Sequence, residues 1–152
     1  MAVLTVPADI EARVIPIIGV PFVAKGDSLK GWDCRGCARW CLQTICGVEV
    51  PDYLDLYEAG IMSMTGRRER ARLIADGLAE WRPVEPQAGV IAWLEWLGGA
   101  GHVGFMISAR RVVHADTRGG TTLLDLDEAN AAYRLRGAFV PSSITEIRRS
   151  HG

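Results

Sequence analysis

No run in this chain approaches the ~18 consecutive apolar residues that a membrane-crossing helix needs. An excess of one charge is missing as well: 17 Lys and Arg stand against 18 Asp and Glu, a net −1. So balanced a chain has no overall electrostatic drive toward nucleic acid or an anionic membrane, and neither partner is expected. Cysteine is scarce, and its four residues are not spread out as a disulfide framework requires. The opening MAVLTVPADIEARVIPIIGVPFV has no basic n-region, and Asp9, Glu11 and Arg13 interrupt its apolar residues. It reads poorly as a secretory leader, so synthesis and folding in a cytoplasm are expected. Internal repeats and low-complexity segments are absent too. What is present is ordinary globular material, 49% hydrophobic and 23% charged. The 152 residues suit one domain, 1–152, with a core over about 7–141 and a tail over 142–152.

The walk along the chain predicts helices first and strands second. Thr5-Val6-Pro7-Ala8-Asp9 reads as a helix start, with the helix running toward Val14 and stopped by Pro16. Gly19, Pro21, Gly26 and Gly31 make Ile18–Trp32 an irregular loop. A helix over Cys34–Cys46 follows, with Asp33 at its cap and Gly47 and Pro51 beyond its end. Short helices are expected over Leu54–Ala59 and Gly66–Leu78, the second with an apolar stripe of Ala71, Ile74, Ala75 and Leu78. The arginines at its start, Arg67, Arg68, Arg70 and Arg72, read as a solvated face. Val90–Leu97, His102–Ser108, Arg111–Asp116 and Thr121–Leu124 read as strands, with Ala109-Arg110 turning one hairpin. A helix over Asp127–Ala132 and a strand over Leu135–Val140 close the domain. Helices ahead of an antiparallel sheet make an α+β fold.

All four cysteines, Cys34, Cys37, Cys41 and Cys46, fall within thirteen residues. Such a cluster suggests a reactive thiol, a metal site or a redox pair. A cysteine nucleophile needs an ionisable thiol, a base oriented by a third polar group, and N–H donors facing the oxyanion. Cys34 opens a helix after a Gly-containing loop, where the macrodipole should favour its thiolate. His102 and His114 are candidate bases on neighbouring predicted strands, while His151 falls in the tail. Their separation is even (114 − 102 = 12), so a hairpin can place both on one face of a sheet.

The stretches Gly19-Val20-Pro21-Phe22 and Gly31-Trp32-Asp33-Cys34-Arg35-Gly36 resemble the nucleophile region of the NlpC-type cell-wall cysteine peptidases, G-x-P-[YF] followed by D-C-x-G. Gly101-His102-Val103-Gly104-Phe105-Met106-Ile107 resembles their base-bearing strand, and Val112-Val113-His114-Ala115 the strand of their third polar residue. Gly47–Tyr53 and Tyr133–Phe139 are similar to the version found in phage tails and gene transfer agents. The resemblance runs from about Ala12 to Pro141. It implies a papain-like α+β fold, with N-terminal helices packed on a central antiparallel sheet. It implies hydrolysis of stem-peptide bonds in bacterial peptidoglycan, with Cys34 as nucleophile, His102 as general base and His114 orienting it. The backbone N–H of Cys34 would help hold the oxyanion, and Phe22, Asp33 and Arg35 would lie beside the substrate. No metal or organic cofactor is implied. The expected partners are peptidoglycan and the tail-tip or hub proteins of a phage-like particle that carries the chain to the wall.

Two positions depart from the family pattern. Phe22 stands where a tyrosine is common, and it cannot donate a hydrogen bond. Cys37 stands where an aliphatic residue usually packs inward; packing is its expected role, and a disulfide with Cys34 is the sharper alternative. Three rivals accompany the peptidase reading. Cys34-Arg35-Gly36-Cys37 has the C-x-x-C form of thiol oxidoreductases, but no apolar strand precedes it. A metal site from the four cysteines would have to span about 10.5 Å along the helix between Cys34 and Cys41, at ~1.5 Å per residue. The third rival is a structural tail-tip component that retains a peptidase fold.

Overall fold

The computed structural model describes residues 2–50, 81–96, 101–128 and 133–150. The helices expected over 54–59 and 66–78, most of that over 127–132, and His151 lie outside the described residues. Strand β1 (Ala2–Val6) leads into a short helix α1 (Ile10–Val14) and a 3-10 turn over Ile15–Ile17. A two-residue hairpin, β2 (Asp27–Ser28) and β3 (Gly31–Trp32), delivers the chain to helix α2 (Cys34–Cys46). The remaining strands are β4 (Trp81–Val84), β5 (Ile91–Trp96), β6 (Gly101–Met106), β7 (Arg111–Asp116), β8 (Gly120–Asp125), β9 (Tyr133–Pro141) and β10 (Ile144–Arg149).

Six of these strands form one antiparallel sheet in the order β4-β9-β5-β6-β7-β8. Helix α2 packs against β6 and β7. Its buried residues Cys34, Cys37, Ala38, Cys41, Leu42 and Ile45 recur at helical spacing and form the apolar stripe that meets the sheet. The sheet's own core residues Leu94, Phe105, Met106, Val112 and Val113 are all fully buried, with the Met106–Val112 and Phe105–Val113 pairs on opposite faces. The architecture is therefore α+β, with helix α2 seated on the β6 and β7 strands of an antiparallel sheet.

Both chain ends differ from expectation. Thr5 and Val6 belong to a strand, not to a helix start, because β1 pairs in parallel with β10 and buries Leu4 and Val6. The helix begins only at Ile10, and Asp9 makes no side-chain cap bond there; its carboxylate instead pairs with Arg13 at 2.8 Å. Residues 144–149 are consequently not a tail. Ile144 is buried, and Ser150 N–H donates to the Val6 carbonyl at 2.8 Å. Ile144 and Ile147 stand three apart, which breaks the period-2 strand pattern; the register shift between Ala2 and Val3 accommodates the extra residue, and arginine and glutamate fill the rest of the strand.

Candidate active site

Helix α2 starts where it does because Asp33 caps it. The Asp33 carboxylate accepts the Gly36 N–H at 2.7 Å and the Lys25 N–H at 3.1 Å, and its carbonyl accepts the Cys37 N–H at 3.0 Å. Gly36 is required by close approach: a Cβ there would collide with the Gly26 carbonyl oxygen and lie 3.0 Å from the Asp27 Cα. The N–H of Cys34 finds no hydrogen-bond partner among the described residues and remains at the open end of the helix. The floor below is fixed by Trp32, wholly buried, whose indole N–H donates to Thr121 Oγ1 at 2.7 Å. Thr121 in turn donates to the Val20 carbonyl at 2.9 Å, which ties the loop carrying Pro21 and Phe22 to β8.

The sheet supplies the imidazoles. His102 lies on β6 opposite Leu94, and Leu94 lies opposite Leu135. His114 lies on β7 opposite Thr122. The two rings meet on the same face, with His102 Nε2 and His114 Nδ1 2.7 Å apart. Gly104 makes this possible, since a Cβ there would strike Val112 and stand 3.3 Å from the His114 Cβ. Thr122 Oγ1 lies 3.4 Å from His114 Nε2 and can either accept or donate there. The tautomer in which Thr122 accepts and His114 Nδ1 accepts from His102 Nε2–H is the one that leaves His102 Nδ1 as a free lone pair, as a general base requires.

The thiol of Cys34 sits against the backbone N–H groups of Val103 and Arg35, one residue beyond His102 in the case of Val103. Burial pushes this thiol up to about 12, with the neighbouring Asp33 charge adding to the rise. The helix start is expected to favour the thiolate; burial opposes that and outweighs it, holding the thiol protonated near pH 7. Burial also pulls His102 down to about 3, with His114 acting in the same direction. His114 is likewise lowered by burial, against an opposing pull from Asp116. Both imidazoles are neutral near pH 7.

The other expected neighbours have defined placements. Asp33 is fully buried and both of its carboxylate oxygens are engaged by backbone N–H groups, so it shapes the helix start. Arg35 folds over Asp33, Nε to Oδ1 at 3.7 Å, and reaches the Lys25 carbonyl. Phe22 is half-buried and bridges in parallel to Trp32. Cys37 and Cys41 are wholly buried core residues, and all four cysteines are free. Cys37 therefore packs inward, as expected.

Tyr133 and Asp116 belong to the site but were not foreseen as functional. The Tyr133 ring stacks on His102, centroids 4.6 Å apart and planes at 23°, and meets His114 edge-on at 5.1 Å. Its hydroxyl donates to Asp116 Oδ2 at 2.6 Å. The signal for Asp116 was its position two residues after His114 on the same strand face. Tyr133 had no local signal, because only the pairing of β9 with β5 brings it near His102.

The chain has the α+β fold of NlpC/p60 domains, with Cys34 opening the helix that packs on the strands carrying His102 and His114. Solved structures share that fold. The NlpC/p60 domain of the peptidoglycan hydrolase SagA aligns with a TM-score of 0.53 at 19% identity, over 88% of this chain and 97% of its own. An NlpC/p60 family protein from Bacillus cereus ATCC 10987 aligns equally, at 19% identity and TM-score 0.53, over 86% of this chain. This chain spans 38% of that longer protein. No protein-family model matches the sequence, and no curated protein does. The likeness is one of fold.

Proposed function

We propose that this chain is a cysteine endopeptidase that cleaves stem-peptide bonds of bacterial peptidoglycan. One observation carries the reading: the 2.7 Å contact between His102 Nε2 and His114 Nδ1, two coupled imidazoles on the strands against which helix α2, opened by Cys34, packs. In the reaction the Cys34 sulfur attacks the scissile carbonyl carbon while its proton passes to His102 Nδ1. The oxyanion is met by the open Cys34 N–H at the helix start. His102 then protonates the leaving amine, and a thioester to Cys34 forms. Water, deprotonated by the same imidazole, hydrolyses the thioester and restores the thiol. His114 holds His102 and shares the imidazolium charge, as the third member of a triad.

The choice of peptidoglycan as substrate draws on the fold shared with the SagA domain and on the sequence resemblance described above. The resemblance of Gly47–Tyr53 and Tyr133–Phe139 to phage-tail and gene-transfer-agent forms supports delivery within a tail-like particle, after synthesis in a bacterial cytoplasm. Digesting purified peptidoglycan with the wild type and with Cys34→Ser, and identifying fragments by mass spectrometry, tests the activity. Release of defined stem fragments by the wild type alone is expected. Equal release by a folded Cys34→Ser protein would overturn the assignment. Immunodetection of the chain on purified tail-like particles tests the delivery, and its absence from particles that still penetrate walls would contradict it.

A further inference from the structure

We propose that Tyr133 and Asp116 form a positioning pair that fixes the plane of the His102 imidazole and supports its protonated form. The inference rests on the reading of Cys34 and His102 as nucleophile and base.

A histidine side chain has two soft torsions. The bond from Nε2 to His114 Nδ1 fixes where that nitrogen lies, but a ring can still rock about the line through it. The Tyr133 ring, nearly parallel to His102 at 4.6 Å, removes that freedom. The same ring meets His114 edge-on, with planes at 81°, so one phenol sets the mutual angle of both imidazoles. Trp96 closes the far side of Tyr133, edge-on at 5.2 Å, with the Arg118 guanidinium 3.8 Å over the Trp96 ring.

The phenol is itself anchored. Its hydroxyl donates to Asp116 Oδ2, while Asp116 Oδ1 accepts the Arg118 N–H at 2.8 Å. Tyr133 is therefore not available as an oxyanion donor in place of Phe22. Partial burial works against ionisation of Asp116, but the bonds from Tyr133 and from the Arg118 N–H outweigh it and hold the carboxyl below its usual range. Among the described residues, the groups beside the imidazoles are then Asp116 from β7, Thr122 from β8 and Tyr133 from β9, with Arg118 beyond Asp116 and Cys34 of α2 near Tyr133. Asp116 is the negative charge among them. Its field favours protonation of both imidazoles.

The test is the rate at which iodoacetamide alkylates Cys34, read by peptide mapping from pH 6 to 9, in wild type, Tyr133→Phe, Tyr133→Leu and Asp116→Asn. Wall hydrolysis is measured beside it. In folded Asp116→Asn protein the neutral-pH alkylation rate should fall about tenfold, the equivalent of one pKa unit lost by the imidazolium. Tyr133→Phe keeps the stack and should fall less than Tyr133→Leu. Hydrolysis should fall in the same order. Unchanged alkylation across the pH range in folded Asp116→Asn and Tyr133→Leu proteins would overturn the proposal. Should the variants not fold, the wild type still decides: ring-current shielding by Tyr133 should move the His102 ring protons upfield in its NMR spectrum, and unshifted resonances would refute the stack. Wild-type protein that digests no wall yet shows the alkylation dependence would refute the substrate reading and uphold the pair.

Discussion

Acid should destabilise this protein over a window set by His102. Burial holds the folded-state pKa of His102 near 3, against ~6.5 for an unfolded histidine. Above pH 6.5 neither state is protonated and the contribution to stability is complete. As the pH falls through the window from 6.5 toward 3, the unfolded chain takes up a proton that the folded site refuses. Each pH unit then removes about 1.4 kcal/mol, so descent to pH 4.5 removes about 2.7 kcal/mol. His114, lowered for the same reason, adds to the loss. Asp116, also lowered, begins to lose its contribution only as the pH falls to the ordinary carboxylate value, about 3.9, and so stays out of the descent to pH 4.5.

Urea unfolding at pH 7.0, 5.5 and 4.5 measures the effect. With a slope of about 2 kcal/mol/M for a small domain, the His102 share alone moves the midpoint by more than about 1 M. His102→Gln cannot titrate, and its amide can still meet His114. Its midpoint should therefore fall by about 1 M less than that of the wild type over the same pH drop. Carboxylate titration elsewhere affects both proteins and cancels in the comparison. Equal losses in the two proteins would refute the reasoning, because they would show His102 taking its proton in the folded state near the usual pH.

Three further outcomes follow from the site. His114→Gln should retain more wall hydrolysis than His114→Ala, because an amide oxygen can still accept from His102 Nε2–H; equal rates would reduce His114 to a strand residue. Thr121→Val leaves the buried Trp32 indole N–H without its acceptor and should cost about 1–3 kcal/mol in urea unfolding, with loss of order in the loop around Val20. Gly104→Ala drives a methyl into Val112 and against the Val113 carbonyl at 3.1 Å, so it should lower both the melting temperature and the activity. A fully active and equally stable Gly104→Ala protein would show that the His102–His114 spacing tolerates displacement of β7.

The elements that carry local signals were legible in the sequence. Asp33 followed by an uninterrupted run to Cys46 marks a capped helix, and α2 has those bounds. The even spacing of His102 and His114 placed them on one face, since period-2 alternation survives a short hairpin. Pairings between distant segments were not legible. Strand β10 is half charged and reads as a solvated tail until β1 covers Ile144, and β4 carries Pro83, which a strand reading discourages. Tyr133 reaches His102 only through the register of β9 on β5, where Tyr133 pairs with Trp96. Electrostatics was legible in kind but not in sign. A helix start predicts a lowered thiol pKa, yet how deeply Cys34 is buried depends on the whole sheet beneath it.

That burial changes how the proposed chemistry must be staged. Thiol and imidazole both rest neutral, so the reactive ion pair has to form within a site that penalises each charge. The groups that offset the penalty are already in place and need not reorganise. Val103 and Arg35 direct N–H groups at the sulfur, while His114 and Asp116 stand behind the imidazole. Bringing a peptide over Cys34 excludes the remaining water, which strengthens every one of these interactions while leaving their geometry unchanged. A neutral thiol is also a poor target for oxidants, because oxidation begins at the thiolate.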